Sequence, residues 1–301
     1  MNDFSIDSSA LLRARSRDAD APCLLGLIGS GIQASKSPAI HQTEAAAQGL
    51  KCSYELIDLD ARRIGVDALP ELLREVERRG FAGVNITYPC KQAIIPLLHE
   101  LSEEARAIGA VNTVQLSKGR RIGYNTDAWG FADSLRRDLP DVALDRVVQV
   151  GAGGAGAATA YAMLGLGVRE LTLFDRDSDR AVSLMSNLSG RFPDRGVQAT
   201  LDLPEALRRA QGVVNTSPMG MAKHPGSGVP LDLLRRDLWV ADIVYFPLET
   251  ELLKAARAAG CRTLDGGGMA VSQAARAFEI FTGLEADENR MRRHFEKIDH
   301  G

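Results

Sequence analysis

The 301-residue sequence has few of the residues that build metal centres or disulfide frameworks. Its four cysteines are widely separated and form no C-x-x-C pair, and none of its five histidines stands in an H-x-x-x-H or H-E-x-x-H arrangement. Zinc sites and disulfide-stapled scaffolds depend on such spacings. We therefore expect reduced thiols packed as small apolar groups, and no metal site.

Long apolar runs and a dominant charge of one sign are also missing. No segment approaches the roughly eighteen apolar residues of a membrane span, and Asn2, Asp3 and Asp7 do not match the basic and apolar regions of a secretory signal. The 39 acidic residues nearly balance the 36 basic ones, which argues against a strongly basic nucleic-acid-binding surface. We expect a cytoplasmic protein without membrane or nucleic-acid partners, and a poorly ordered lead-in over the first twenty residues.

Short β-rich segments alternate with helical ones along most of the chain. The alternation predicts an α/β architecture with parallel sheets, and 301 residues at about 150 per domain suggest two domains. The strands are expected at residues 24–28, 53–57, 83–86, 146–150, 170–174, 212–215 and 239–244. The helices are expected at residues 37–48, 68–79, 91–98, 127–137, 154–164, 179–188 and 250–259.

Two segments bear on the domain organisation. Residues 138–145 contain Pro140 and three acidic residues, interrupt the alternation and indicate a domain boundary nearby. The glycine-rich run at 265–269 precedes two final helices, expected at 270–282 and 287–297. We expect these two helices to pack back on the first domain.

The glycine-rich turn at 151–156 is the clearest single motif. An apolar strand ends in G-A-G-G-A-G and opens into a helix-forming segment, which is the context of the G-x-G-x-x-G dinucleotide turn. Gly151 allows the tight turn, Gly153 lets the backbone approach a pyrophosphate, and Gly156 permits close contact between helix and strand. The helix N-terminus adds free N–H groups and positive charge for the anion.

An acidic residue follows this turn at the spacing of a ribose ligand. Asp175 lies 19 residues after Gly156, where a carboxylate accepts hydrogen bonds from the adenosine ribose and repels a 2′-phosphate. NAD is therefore the expected cofactor. Arg176 and Arg180 are close enough in sequence to hold a phosphate, which keeps NADP as the alternative. In a purely structural interpretation, the glycines form a tight turn and Asp175 caps the next helix.

Three polar clusters in the first half follow predicted strands or their connecting loops. The first, at 29–38, includes Ser37 before Pro38, which is typical of a helix N-cap and first helical position. Hydroxyls beside a helix N-terminus also suit a carboxylate ligand. The second, at 83–91, ends in Lys91, and the third covers 109–113 and 123–127 and ends in Asp127. Ligand sites of α/β folds lie at such positions, although each residue taken singly also has an ordinary surface interpretation.

Seven short segments stand out along the chain: S-K-S-P at 35–38, N-I-T-Y-P-C-K at 85–91, G-A-V-N-T at 109–113, N-T-D at 125–127, G-A-G-G-A-G at 151–156, N-T-S-P-M-G-M at 215–221 and D-G-G-G-M-A-V-S-Q at 265–273. In this order they resemble the signature segments of the shikimate dehydrogenase family. The resemblance implies an N-terminal α/β substrate domain at 20–126, completed by C-terminal helices at 266–301. It also implies a Rossmann dinucleotide-binding domain at 127–265, with the catalytic cleft between the two domains.

The resemblance further implies reversible oxidation of the C3 hydroxyl of shikimate or quinate, which are polyhydroxylated cyclohexene and cyclohexane carboxylates. The implied catalytic pair is Lys91 and Asp127. The implied substrate contacts are Ser35, Ser37 and Tyr245 for the carboxylate, and Thr87, Asn112 and Gln273 for the ring hydroxyls. The expected dinucleotide contacts are Gly151, Gly153, Gly154, Ala155, Gly156, Asp175, Arg180, Thr216 and Gly266.

The sequence departs from the family pattern at two places. NADP-specific members carry an Asn-Arg-Thr type phosphate clamp where this chain has Phe174-Asp175-Arg176-Asp177, which resembles the NAD-using quinate/shikimate dehydrogenase branch. Tyr88 and Cys90 stand inside the lysine motif, where we expect them to affect packing around Lys91. Cys90 is expected to be a packed thiol and not a nucleophile, because no histidine base is near it in sequence.

Two alternatives to an NAD-dependent quinate/shikimate dehydrogenase stay open. One is an NADP-dependent biosynthetic shikimate dehydrogenase, with Arg176 and Arg180 around the phosphate. The other is a non-catalytic NAD-binding sensor, against which the retention of both Lys91 and Asp127 argues. The chain has no extended heptad pattern, so a monomer and a homodimer are both compatible with it.

Overall fold

The computed structural model describes residues 23–299, and the lead-in expected over the first twenty residues lies outside this range. The described chain divides into two compact units. The first comprises residues 23–126 and 271–299, and the second comprises residues 127–270. Each unit is built on one six-stranded sheet combined with helices, which confirms the predicted α/β architecture.

A mixed sheet forms the first unit. Its strands are β1 (Cys23–Gly29), β2 (Cys52–Asp58), β3 (Gly83–Ile86), β4 (Glu100–Leu101), β5 (Thr113–Ser117) and β6 (Arg120–Tyr124). Their order is β2-β1-β3-β5-β6-β4, with β1 parallel to both of its neighbours and β5 antiparallel to both of its own. The register pairs Gly29 with Asp58, so β1 and β2 end at the same edge of the sheet.

The helices of the first unit cover the apolar faces of this sheet. They are α1 (Ser37–Ala47), α2 (Leu59–Arg62), α3 (Leu69–Arg78), α4 (Cys90–Ala93) and α5 (Glu103–Ile108). In α3 the residues Leu69, Leu72, Leu73 and Val76 recur at helical spacing and are all buried. This stripe joins strand residues such as Ile57 and Val84 in one apolar core, which is why the segment is helical.

A fully parallel sheet forms the second unit. Its strands are β7 (Arg146–Val150), β8 (Glu170–Phe174), β9 (Gly196–Ala199), β10 (Gly212–Asn215), β11 (Trp239–Asp242) and β12 (Arg262–Leu264). Their order is β12-β11-β10-β7-β8-β9, which is the strand order of the Rossmann sheet. The order reverses between β7 and β10, and ligands of such sheets bind beside the carboxyl ends of the strands at that point.

The helices of the second unit alternate with these strands. They are α6 (Asp127–Asp138), α7 (Gly154–Leu166), α8 (Ser178–Arg191), α9 (Leu203–Arg209) and α10 (Glu251–Ala258). The central strands β7 and β10 are almost entirely buried, as expected when helices cover both faces of a parallel sheet. No helix in the described range has the length and apolar character needed to cross a membrane.

Two helices close the chain. They are α11 (Gly266–Thr282) and α12 (Glu288–Asp299). Within the first unit, the buried Glu44 of α1 accepts hydrogen bonds at 2.7 and 2.8 Å from the guanidinium group of Arg290 in α12. Burial would raise the pKa of Glu44, but its hydrogen bonds with Arg290, the Asp287 N–H and Gln48 hold that pKa below its usual value. This ionised pair joins α12 to α1.

The structure corrects three expectations about secondary structure. The helix expected at 91–98 is a short α4 followed by a 3-10 turn at Ile95–Leu97, because Pro96 has no N–H to continue an α-helix. The final long helix begins at Gly266 and not at residue 270. The glycines of this segment suggested a loop, but a Cβ at Gly266 would lie 2.5 Å from the Ile243 carbonyl oxygen, so the start of the helix packs where only glycine fits. Strands β4, β5, β6, β9 and β12 and helices α2, α5 and α9 were not expected.

A buried histidine lies in the core of the first unit. His41 is 1% exposed, and its ring stacks on Tyr54 with the ring centres 4.9 Å apart. Phe278 and Phe281 lie beside it, and within the described residues its Nδ1 has no hydrogen-bond partner. Burial lowers the pKa of His41 from its ordinary value of 6.5 to about 3. The unfolded chain therefore binds a proton below pH 6.5 that the folded chain does not bind, and stability falls as the pH falls.

We predict that this histidine lowers the free energy of unfolding by about 2 kcal/mol between pH 7 and pH 5. Denaturant titrations across this range measure the change. The His41→Leu variant should lose this part of the pH dependence, because leucine does not titrate. The exposed His99 offers the control, since His99→Gln should keep the wild-type slope. A His41→Leu variant with an unchanged slope would contradict the prediction.

Candidate active site

The loop after β1, residues 30–36, is called the serine loop here and carries Ser35, while Ser37 follows it as the first residue of α1. These are the two serines expected to bind a carboxylate. Ser35 and Ser37 are half-buried, and the Ser35 hydroxyl accepts a hydrogen bond from the Ser37 N–H at 3.3 Å. The expected N-cap role of Ser37 is wrong: Ser37 is the first residue of α1, and Lys36 precedes it without a side-chain cap bond. Ser35 supplies the acceptor instead, which brings the two serines together at the start of α1.

Thr87 and Lys91 lie in the loop and short helix that follow β3. The Ser30 N–H donates to the Tyr88 carbonyl at 2.9 Å, which ties this loop to the serine loop. Contact between the two is close, because a Cβ at Gly29 would come within 2.3 Å of the Thr87 methyl group. Lys91 is half-buried in α4. The serines, Thr87 and Lys91 therefore share one edge of the first sheet.

Cys90, next to Lys91, is a packed thiol. It is fully buried in the apolar core, and burial raises the pKa of its thiol to about 11. The thiol is therefore protonated at neutral pH and is a poor nucleophile.

Asn112 and Gln273 meet at a buried threonine in the first unit. The Asn112 side-chain Nδ2 donates to the Thr126 hydroxyl at 2.9 Å, and the Asn112 side-chain Oδ1 accepts from the Thr126 N–H at 2.8 Å. Gln273 of α11 lies 3.5 Å from the same hydroxyl. Asn112 is only 3% exposed. Its two hydrogen bonds fix the backbone at Thr126, and the same side chain is the candidate ligand of a ring hydroxyl.

Sequence reasoning missed the polar residues that support Asn112. The Tyr54 hydroxyl donates to the Asn85 side-chain Oδ1 at 2.8 Å, and the Asn85 Nδ2 donates to the Thr113 hydroxyl at 3.1 Å. The Thr113 hydroxyl in turn donates to the Asn112 side-chain Oδ1 at 3.1 Å. Asn85 and Thr113 belong to quoted motifs, but no pattern connects them to Tyr54 on β2. The buried groups satisfy one another, which stabilises a polar network inside the core.

Asp127 and Tyr245 belong to the second unit. Asp127 is the first residue of α6 and is 5% exposed. Tyr245 follows β11, and burial of its hydroxyl, with the negative charge of Asp127 as a second cause, raises the pKa of Tyr245. The tyrosine keeps 39% of its surface exposed.

A buried carboxylate holds the two loops that follow β10 and β11. Asp242 is 1% exposed and accepts hydrogen bonds from the Asn215 amide at 2.9 Å and the Thr250 hydroxyl at 2.7 Å. Burial raises the pKa of Asp242 in spite of these bonds. The three side chains fix the start of the N-T-S-P-M-G-M segment and the end of the loop that carries Tyr245.

The glycine turn has the geometry that a dinucleotide requires. Gly151 has a φ of 108°, which favours glycine, and a Cβ at Gly156 would lie 2.5 Å from the Gly151 carbonyl oxygen. A Cβ at Gly153 would meet no atom within 4 Å, so this side of the turn is open for a pyrophosphate. Gly154 and Ala155 begin α7, whose N-terminus suits an anion. These residues fit a nicotinamide dinucleotide.

Side chains from the neighbouring strands hold this turn. The Thr216 hydroxyl, after β10, lies 2.9 Å from the Gly151 carbonyl oxygen. The Gln149 amide, which sequence reasoning missed, donates to the Gly151 and Gly156 carbonyl oxygens at 2.8 and 2.9 Å. The Asp175 carboxylate accepts from the Ala152 N–H at 2.7 Å. Thr216 and Asp175 thus both contact the backbone of the turn.

Three further residues bear on the dinucleotide site. Arg180 lies on α8 and pairs with Asp177 at 3.2 Å, with 64% of its side chain exposed. Arg176 is exposed and forms no ion pair within the described part of the chain. Gly266 packs against the Ile243 and Val244 carbonyl oxygens, so its lack of a side chain serves helix packing.

Known proteins match this chain over most of its length. Residues 27–114 match the family of shikimate dehydrogenase substrate binding domains, and residues 266–294 match the shikimate 5′-dehydrogenase C-terminal domain. A shikimate dehydrogenase (NADP(+)) of Streptomyces avermitilis is 54% identical over 270 residues, which cover 89% of this chain and 93% of the relative. The chain belongs to the shikimate dehydrogenase family. The family predicted from the seven segments is thereby confirmed.

Other members of the family carry a different cofactor in their names. A quinate/shikimate dehydrogenase (NAD(+)) of Corynebacterium glutamicum is 49% identical over 276 residues, 90% of this chain and 97% of the relative. The solved structure of quinate dehydrogenase from Corynebacterium glutamicum in complex with NAD covers 92% of this chain and 100% of its own, at 46% identity and a TM-score of 0.85. This chain is therefore an oxidoreductase whose relatives use nicotinamide dinucleotides of both kinds.

We predict that Gln149→Leu weakens dinucleotide binding by about tenfold, because two buried hydrogen bonds to the turn are lost. Part of the accompanying loss of stability should be offset, since the side-chain Oε1 of Gln149 is buried without a partner in the described structure and leucine removes it. Titration calorimetry with NAD and with NADP measures the effect.

Thr172→Val is the matched control for this variant. Thr172 lies on β8 of the same sheet and accepts a hydrogen bond from Gln198 at 2.9 Å, with no hydrogen bond to the turn. Its removal should leave the dinucleotide Kd unchanged. Equal Kd values for Gln149→Leu and the wild type would show that Gln149 does not shape the turn.

Proposed function

We propose that the protein is an NAD-dependent quinate/shikimate dehydrogenase that oxidises the C3 hydroxyl of shikimate, quinate or both. The observation that carries the choice of NAD is the Asp175 carboxylate at the end of β8, bonded to the Ala152 N–H at 2.7 Å. A carboxylate fixed beside the glycine turn accepts hydrogen bonds from ribose hydroxyls and repels a 2′-phosphate.

The neighbouring arginines bear on the same choice. Arg180 would have to leave its ion pair with Asp177 to hold a phosphate, whereas Arg176 has no such pair within the described residues. The NADP named for the Streptomyces avermitilis relative makes NADP use the second candidate, with Arg176 as its phosphate ligand. The Asp175 charge favours NAD in this balance.

The reaction separates a hydride and a proton from the C3 carbon and its hydroxyl. A bound nicotinamide dinucleotide supplies the hydride acceptor. Lys91, as the neutral amine, takes the hydroxyl proton during oxidation and returns it during reduction, with Asp127 as the carboxylate of the catalytic pair. Ser35, Ser37 and Tyr245 bind the substrate carboxylate. The ring hydroxyls are assigned to Thr87, Asn112 and Gln273.

Steady-state kinetics with quinate and shikimate, each with NAD and NADP, test the proposal directly. We predict a higher kcat/KM with NAD than with NADP for each substrate that is turned over. A higher kcat/KM with NADP would instead establish the NADP-dependent alternative. Measurable NAD binding without any turnover of either substrate would favour a sensor.

Asp175→Asn is the matched variant for this comparison. Asparagine keeps an acceptor for the Ala152 N–H but removes the negative charge, so the ratio of kcat/KM for NAD to that for NADP should fall by about tenfold, with a smaller change in kcat. Asp202→Asn is the control, since this exposed carboxylate caps α9 through the Glu205 N–H. An unchanged ratio in Asp175→Asn would remove the electrostatic basis for NAD selection.

We predict that Lys91→Ala lowers kcat by about 10²- to 10⁴-fold, the usual contribution of a positioned acid or base, with a smaller change in substrate Kd. Steady-state rates and calorimetric binding separate the two effects. Lys51→Ala removes an exposed lysine of the same unit and should leave kcat unchanged. Wild-type kcat in Lys91→Ala would eliminate this lysine as the acid/base group.

A further inference from the structure

A carboxylate at the end of β2 accepts hydrogen bonds from the serine loop, residues 30–36. Asp58 is the last residue of β2 and pairs in register with Gly29, the last residue of β1. It is 3% exposed and takes no part in the chemistry proposed above. Its position at the shared edge of two parallel strands places it beside the first residues of the serine loop.

Four donors converge on this carboxylate, three of them from the serine loop. Its Oδ1 accepts from the Gly31 N–H at 2.9 Å, and its Oδ2 accepts from the Ile32 N–H at 3.1 Å and from the Gln33 side-chain amide at 2.9 Å. The Asp60 N–H, at 3.0 Å from Oδ1, completes the set. Successive backbone N–H groups form an anion-binding concavity, and Asp58 fills the one made by Gly31 and Ile32.

The conformation fixed by Asp58 extends to the serines. Gly31 has a φ of 67°, and the Ile32 carbonyl oxygen accepts from the Ser35 N–H at 2.9 Å. Ser35 in turn accepts from the Ser37 N–H. A continuous series of hydrogen bonds therefore runs from the Asp58 carboxylate to the start of α1.

We propose that Asp58, with Gln33, is the positioning residue that fixes Ser35 and Ser37 for binding of the substrate carboxylate. The inference rests on the proposed function for the identity of the substrate. Asp58 acts only through the loop, because its own negative charge would repel a carboxylate. It should therefore determine substrate affinity and not the rate of hydride transfer.

The ionised form of Asp58 is the one that the loop requires. Burial alone would raise the pKa of this carboxyl, but the hydrogen bonds from Gln33, Gly31, Asp60 and Ile32 hold it below its usual value. A neutral group at this position would present a hydrogen to N–H donors. Asparagine has nearly the same size, keeps one acceptor oxygen and replaces the other by an NH2 donor, so Asp58→Asn removes the acceptor for the donors on one of the two oxygens.

The test compares Asp58→Asn with the wild type in substrate KM, kcat and dinucleotide Kd. We expect the KM for shikimate or quinate to rise by about tenfold or more, kcat to stay within about threefold, and the NAD Kd to be unchanged. Amide hydrogen exchange of the peptide covering residues 30–36 should become faster in the variant. An unchanged KM would overturn the proposal.

A second variant covers the case in which Asp58→Asn does not fold. Gln33→Ala removes one of the four hydrogen bonds from an exposed side chain, so we expect an unchanged Tm and a KM raised by about two- to fivefold. Failure of Asp58→Asn to fold, together with a wild-type KM in Gln33→Ala, would also overturn the proposal.

Glu77→Gln is the matched control for general loosening of the first unit. Glu77 accepts two hydrogen bonds of 2.7 Å from Arg121 and makes none to the serine loop in the described structure. A KM increase in Glu77→Gln as large as that in Asp58→Asn would assign the effect to lost stability and overturn the proposal. Absence of shikimate and quinate turnover in the wild type would instead contradict the proposed function. In that case, hydrogen exchange of residues 30–36 in the wild type and in Asp58→Asn would still show whether Asp58 stabilises the loop.

Discussion

A loop that leaves the carboxyl end of a parallel strand carries backbone N–H groups that need acceptors. Both units supply the acceptor from the end of the neighbouring strand. Asp58 is the last residue of β2, which lies beside β1, and it accepts hydrogen bonds from the loop that follows β1. Asp175 comes directly after β8, which lies beside β7, and it accepts a hydrogen bond from the turn that follows β7. Each of the two loops carries the groups assigned to an anion, a carboxylate in one unit and a pyrophosphate in the other. Their shape therefore depends on one carboxylate each.

The charge of such a carboxylate depends on its donors. Asp58 and Asp242 are both buried, yet the pKa of Asp58 is lowered and the pKa of Asp242 is raised. Asp58 has four donors, three of them backbone N–H groups, whereas Asp242 has two side-chain donors and the Val244 N–H. Asp242 is also the more deeply buried of the two, so desolvation outweighs its donors, whereas the donors of Asp58 outweigh its desolvation. A buried acid can thus stay charged and hold a loop where burial alone would neutralise it.

Strands β1, β2 and β3 of the first sheet and β7, β8, β10 and β11 of the second were predictable from sequence. Strand, glycine turn, helix and acid follow one another between residues 146 and 175, and local spacing contains this information. The edge strands β4, β9 and β12 were not found because they have two to four residues and weak alternation. The glycines that begin α11 suggested a loop, since their helical conformation depends on packing against residues distant in sequence.

The supporting residues of the site were beyond local patterns for the same reason. Gln149 stands in an apolar strand, where its role depends on two carbonyl oxygens of the following turn. Tyr54 and Asn85 are 31 residues apart and meet only because β1 lies between their strands. Residues that would contact a ligand are therefore easier to identify from a sequence pattern than the residues that hold those ligand contacts in position.

Asp175 illustrates how the same residue serves structure and selectivity. Two of the four acceptor positions of its carboxylate are occupied, one by the Ala152 N–H and one by the Asp177 N–H. The bond from the Ala152 N–H holds the turn whichever dinucleotide binds. The remaining acceptor positions and the uncancelled negative charge are what distinguish ribose hydroxyls from a phosphate. Since Arg180 already shares its charge with Asp177, Arg176 alone opposes that preference within the described residues.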